Sequence, residues 1–154
     1  MNLSSAVPTA LHLAQGELGA GQIAAAAALL REAGERGLYR IVLVHHPVAP
    51  DVVSGRKELV DADALRAMLA DAGAELVLHG HAHEAHLTTV PGPQAPIPVL
   101  AVPAASTPTG GRGQPARWNE IEITRDGEAF RTRVTARGIT EELTVEHKGS
   151  FDLC

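Results

Sequence analysis

Cysteine is almost absent from this 154-residue sequence: the only one is Cys154, the last residue. A disulfide framework and a thiolate metal site are both excluded, which fits a reducing compartment and makes the cytoplasm the expected location. Aromatic residues are equally scarce at 3%. Tyr39, Trp118, Phe130 and Phe151 stand far apart in the chain, so a stacking platform for nucleobases is poorly provided for. The longest apolar run, Ile23 to Leu30, falls far short of the roughly 20 residues a membrane span needs. The opening Met1-Asn2-Leu3-Ser4 has no basic stretch of the kind that begins an export signal. Nor do the 13 Lys and Arg residues gather into a stripe, and the formal net charge is -5. Neither nucleic acid nor a membrane is therefore expected as a partner.

What remains is an ordinary globular composition, 45% hydrophobic and 20% charged, of a size that suits one domain or a piece of one. From Ala20 to Gly34, residues Ile23, Ala26, Ala27, Leu30 and Ala33 recur at helical spacing. Ile41-Val42-Leu43-Val44 is an unbroken apolar run, which reads as a strand covered on both faces. A polar loop from Ala49 to Val60 follows. Asp61 then reads as a helix N-cap and Asp63 as a first-turn acid, with Leu65, Met68, Leu69 and Ala72 on one face until Gly73. Glu75-Leu76-Val77-Leu78 is a second buried strand, and strand-helix-strand lays the two strands parallel through a right-handed crossover. After His86 come shorter strand-like runs, Leu87–Val90, Ile97–Val102 and Trp118–Thr124. Asp126-Gly127 lies between two alternating runs, a hairpin signal. Ser106–Gln114 is expected to be a mobile loop and Thr140–Cys154 a tail. The fold class is α/β, with a mixed sheet and a C-terminal hairpin, and no internal repeat or second domain is evident.

Six of the 8 histidines fall between His45 and His86. In open α/β sheets the ligand crevice lies outside the carboxyl ends of the strands. There, His45-His46 and Gly80-His81-Ala82-His83 follow the two parallel strands. Imidazole suits Zn, Mn and Fe, and Gly80 permits a sharp turn close to an ion. His45, His81 and His83 are therefore the candidate metal ligands. His46 is the candidate catalytic group, contacting phosphate or holding a metal-bound imidazole in one tautomer. His79 orients the turn and His86 is exposed in this reading, while His12 and His147 are ordinary surface residues. Arg56 and Lys57 are the candidate substrate-binding residues.

Val42-Leu43-Val44-His45-His46-Pro47 and Leu76-Val77-Leu78-His79-Gly80-His81-Ala82-His83 resemble the H-x-P and G-H-x-H blocks of the calcineurin-like metallophosphoesterases. Leu3–Thr9, Arg56–Asp61 and Val102–Ser106 are similar to bacterial phosphodiesterase-type members, so the likeness extends over most of the chain. The resemblance implies a binuclear centre, with its ions bridged by an Asp and a solvent-derived hydroxide, that hydrolyses phosphomonoesters or phosphodiesters. His45 and His81 would bind one ion and His83 the other. The family's earlier blocks, D-x-H, G-D-x-x-D and G-N-H-D/E, have no counterpart in these residues. The chain thus resembles a C-terminal half: residues 1–139 as half of a four-layer α/β/β/α sandwich, and 140–154 as a tail.

The missing carboxylate matters chemically. Two dications about 3.5–4 Å apart repel strongly and need an anionic oxygen between them, which neutral imidazoles cannot supply. Asp61 and Asp63 read as helix-start residues and Asp51 as a loop residue. Alone, the chain is expected to be a weak or inactive hydrolase of small phosphate esters, made complete by a complementing N-terminal half. The alternatives are a non-catalytic metal-binding or interaction module, and a remnant that self-associates through uncovered sheet surface.

Overall fold

The computed structural model describes residues 1–110 and 113–153; Gly111 and Arg112, within the segment expected to be a loop, and the terminal Cys154 lie outside the described residues. The elements are β1 (Asn2–Leu3), α1 (Ala20–Glu35), β2 (Ile41–Val44), α2 (Ala62–Ala72), β3 (Leu76–His79), β4 (His86–Val90), β5 (Ile97–Ala101), β6 (Arg117–Asp126), β7 (Ala129–Ile139) and β8 (Val145–Leu153). They fall into two compact units. The first comprises Met1–Ala82 with His86–Ala101, the second His83–Ala85 with the residues from Val102 onward. Among the described residues no helix is long and apolar enough to cross a membrane.

In the first unit the sheet order is β1-β2-β3-β5-β4, parallel except for β4, which runs antiparallel to β5. The crossovers through α1 and α2 advance in the same direction along the sheet, so right-handed connections lay both helices on one face. There Ala26, Ala27 and Leu30 of α1 meet Leu65, Met68, Leu69 and Ala72 of α2 in one core with Leu3, Val42, Val44, Val77 and Val99. Each fully buried Leu here contributes roughly 1.5–3 kcal/mol. On the other face Leu43, Leu78, Leu100 and Leu87 stand opposite one another across four strands. Leu43 is 40% and Leu87 53% exposed. The expectation that β2 is covered on both faces is corrected: only its helix-facing Val42 and Val44 are buried.

Two polar groups tie the helices down. The guanidinium of Arg40 pairs with Glu75 at 2.7 Å and donates to the Ala72 carbonyl at 2.9 Å, at the end of α2. Its Nη1 also reaches the Leu30 carbonyl of α1 at 3.5 Å. A cation at the C-terminus of α2 is favoured by the carbonyls left unpaired there, Ala72 being the last residue of that helix. Asp61 occupies the cap position of α2 but makes no side-chain capping bond to that helix. Its carboxylate instead accepts from Leu18 N–H at 3.0 Å and Gly19 N–H at 2.8 Å, just before α1. Asp61 thus stands at the expected N-cap position, with its side chain turned to the entry of α1. The donors at the entry to α1 compete for the same oxygens, because Gly19 has no side chain with which to cap its own helix.

The second unit is an antiparallel sheet in the order β6-β7-β8. Asp126 pairs with Ala129 across a two-residue turn in which Gly127 takes φ 66, the positive φ such tight hairpin turns require. Ile121, Val134 and Phe151 line up across the strands on one face, while Glu122, Arg133 and Asp152 line up on the other. The expectation of a tail beyond Thr140 is corrected, since Val145–Leu153 pairs with β7 as β8. Its polar alternation hides it from a hydrophobicity reading, and backbone pairing supplies what side-chain burial does not.

Candidate functional site

β2 and β3 are parallel neighbours with Leu43 opposite Leu78, so the residues that follow them emerge together. The ladder continues past the strand ends, with Gly80 N–H donating to the His45 carbonyl at 3.1 Å. This backbone tie brings His45, His46 and His81 to one place. Past the sharp turn expected at Gly80, the left-handed conformation is adopted by His81, φ 63, and by His83, φ 57. Histidine tolerates this region better than most residues, yet such a non-glycine conformation still costs on the order of 1 kcal/mol.

The three rings form one cluster. His45 and His81 have centroids 5.0 Å apart and His46 and His81 4.4 Å apart. Nε2 of His45 lies 3.1 Å from Nδ1 of His81. With metal–nitrogen bonds of about 2.0–2.1 Å, two ligands so separated subtend an angle of about 100° at a shared ion, between the octahedral and tetrahedral values. The spacing, that of a hydrogen bond between the two rings, also matches one edge of a coordination sphere. Among the described residues no group of three or more His, Cys, Asp or Glu is arranged to hold a metal, so the edge is as far as the fit extends.

His46 is different. It is buried, 5% exposed, and both ring nitrogens are engaged. Nδ1 lies 2.7 Å from Ser5 Oγ and Nε2 lies 3.1 Å from the Ala14 carbonyl. A carbonyl only accepts, so Nε2 carries the proton and Nδ1 accepts from the Ser5 hydroxyl. Burial lowers the His46 pKa below its ordinary value; the Ala14 bond opposes this and neighbouring His45 adds to it. His79 is also buried. Its Nδ1 lies 3.0 Å from the Gly80 carbonyl, and its Nε2 has no hydrogen-bond partner among the described residues. Burial lowers its pKa too, with a contrary contribution from Gly80 and smaller lowering by His86 and His45.

These shifts set a pH dependence. The unfolded chain binds a proton at His46 and His79 more readily than the folded one, so stability falls as pH drops below about 6.5. Urea unfolding of the metal-free protein at pH 7.5 and 5.5 is expected to give a lower midpoint at 5.5, with a smaller difference in His79→Gln.

His83 belongs to the second compact unit, where it is exposed. His86 is half-buried on β4 rather than exposed. Arg56 and Lys57 are exposed in a short 3-10 turn, Gly55–Lys57. An open pocket of about 210 Å³ extends from Pro47 to Arg66 past Asp51, Glu58 and Asp63; neither His45 nor His81 lines it.

The sequence reading missed Ser5, Ala14 and Gly16, the residues that clamp His46. A Cβ at Gly16 would come 2.3 Å from His46 Nδ1 and 2.7 Å from the Ser5 carbonyl. Gly16→Ala is therefore expected to lower stability by about 1–3 kcal/mol through overpacking, read as a lower urea midpoint.

No family model matches this chain, and no curated protein matches it. Among solved structures it is similar to a dimetal phosphatase from Danio rerio, with TM-score 0.51 and 17% identity, over 80% of this chain and 36% of the phosphatase. It also matches a double mutant of Vps29 from Entamoeba histolytica, with TM-score 0.42 and 12% identity, over 82% of this chain and 89% of that one. The first likeness is one of fold, a mixed α/β architecture shared with part of the phosphatase. The chain spans about a third of the phosphatase it resembles.

Proposed function

We propose that this chain carries the imidazole side of a metal-dependent phosphate ester hydrolase centre. His45 and His81 hold one ion of that centre through Nε2 and Nδ1. The observation that carries this reading is the 3.1 Å spacing of those two nitrogens, reached from the ends of two parallel strands. Arg56 and Lys57 meet the substrate phosphate, and His46 supports the centre. Mn, Fe or Zn suits the nitrogen donors; when bound, such an ion supplies Lewis acidity toward a phosphoryl oxygen.

The carboxylates that two ions require come from a second polypeptide in this reading, a complementing N-terminal half. The isolated chain binds an ion weakly and turns over little. A nitrophenyl phosphodiester incubated with the chain and Mn is expected to show negligible hydrolysis. Robust metal-dependent turnover, lost in His81→Ala, would overturn the claim that the centre is incomplete. A second reading is a metal-binding module without hydrolysis, which draws on the same His45–His81 pair. The two separate on whether hydrolysis appears when an N-terminal half is added.

A further inference from the structure

The backbone around His46 joins two segments that are distant in sequence. Ala14 N–H donates to the Arg56 carbonyl at 2.9 Å and Gly16 N–H to the Glu58 carbonyl at 3.0 Å. Val60 N–H donates back to the Gly16 carbonyl at 2.8 Å, and Gln15 Nε2 reaches the Gly55 carbonyl at 2.7 Å. Residues 14–16 thus form a strip along the loop that bears Arg56 and Lys57, with Gly16 bridged to Leu59. The strip is neither helix nor part of a named strand. On its inner side Ala14 accepts from His46 Nε2–H at 3.1 Å, and the other ring nitrogen is held by Ser5. Ser5 lies two residues past β1, which is paired to β2.

We infer that His46 is a positioning residue, which through Ala14 fixes the backbone of the Gly55–Glu58 loop and so the station of Arg56 and Lys57. With Nδ1 and Nε2 both engaged inside the protein, the ring turns no lone pair toward a substrate. Its task is to fasten the basic loop to the strand end that carries His45. The inference rests on the reading of Arg56 and Lys57 as phosphate contacts only for its consequence in binding. The mechanical link stands on the hydrogen bonds themselves.

The test uses the full chain, amide hydrogen exchange and an NMR titration with inorganic phosphate. His46→Phe keeps a ring but loses the N–H, whereas His46→Gln keeps an N–H at similar reach. His46→Phe is expected to speed exchange at the Ala14, Gly16 and Val60 amides by about tenfold or more while leaving β3 unchanged. It should also weaken phosphate binding as far as the Arg56→Ala/Lys57→Ala pair does, with no further loss when the changes are combined. His46→Gln should restore both properties.

Unchanged exchange in the strip would overturn the inference. So would normal phosphate affinity in His46→Phe alongside a clear loss in the Arg56→Ala/Lys57→Ala pair. If that pair leaves phosphate affinity unaltered, it is the phosphate reading that fails, and exchange in the strip still decides the role of His46. If His46→Phe also loosens β3, Ala14→Pro takes its place: it deletes the N–H link to Arg56 with the ring intact. It should speed exchange at the Gly16 and Val60 amides, whose bonds join the strip to the loop, and their unchanged protection would overturn the inference.

Discussion

Replacing His81 is expected to abolish site-specific binding of Mn or Zn, raising Kd by about 100-fold or more, since even loss of groups that merely orient a ligand costs about 10–100-fold. His81→Asn is the cleaner variant. Asparagine tolerates the left-handed backbone that His81 adopts at φ 63, so loss of the ring is separated from a change of conformation. His45→Ala should have the same effect, because one ion spans the two nitrogens 3.1 Å apart. His147→Ala, far along the chain on β8 and bonded to Ser150, should have none. Isothermal titration of the four proteins with Zn checks this. Equal affinities would mean that binding is adventitious.

The largest loss of stability is expected on changing Arg40 to alanine, about 2–4 kcal/mol. Its side chain is 16% exposed and that of Glu75 27%, so solvent screens the pair in part, and the figure lies below that for breaking a fully buried ion pair. Three partners lose their donor at once: the Glu75 carboxylate and the carbonyls of Ala72 and Leu30. The Arg40 backbone N–H to Glu75 at 2.5 Å survives, which moderates the cost. Arg40→Ala/Glu75→Gln should recover part of the loss, because the uncompensated carboxylate is removed. Urea unfolding of the single and double variants provides the measurement. By contrast, Arg133→Ala on the exposed face of the second sheet should change stability by less than about 1 kcal/mol, since its pair with Asp152 is 3.4 Å apart and open to solvent.

The parts of this fold that were legible in the sequence are those where burial imposes a period. Ala26, Ala27 and Leu30 fall on the buried face of α1 as their spacing predicts, and the apolar runs of β2 and β3 became parallel neighbours. The turn at Asp126-Gly127 was legible because it needs a residue that accepts positive φ. Placement of His45 and His81 followed from a rule about strand ends rather than from their own neighbours. What escaped was long-range polar chemistry. The carboxylate of Asp61 turns to Leu18 and Gly19 rather than to its own helix, and no local pattern signals such a choice. Ser5 and Ala14 meet His46 from a segment that Pro8, Gly16 and Gly19 break, so it carries no period to read. β8, with Glu146, His147, Lys148 and Asp152 among its residues, lacks the apolar alternation by which strands are read. Leu43 misled in the opposite sense: a β-branched, apolar run implied cover on both faces, and one face of β2 is open at that residue.

Long-range proton–nitrogen NMR of the histidine rings during titration with Zn tests the shared-ion proposal most directly. The account predicts that Nε2 of His45 and Nδ1 of His81 shift together at one equivalent of Zn, while both nitrogens of His46 keep the signature of a neutral ring protonated at Nε2. Movement of His46, or of only one member of the pair, would contradict it.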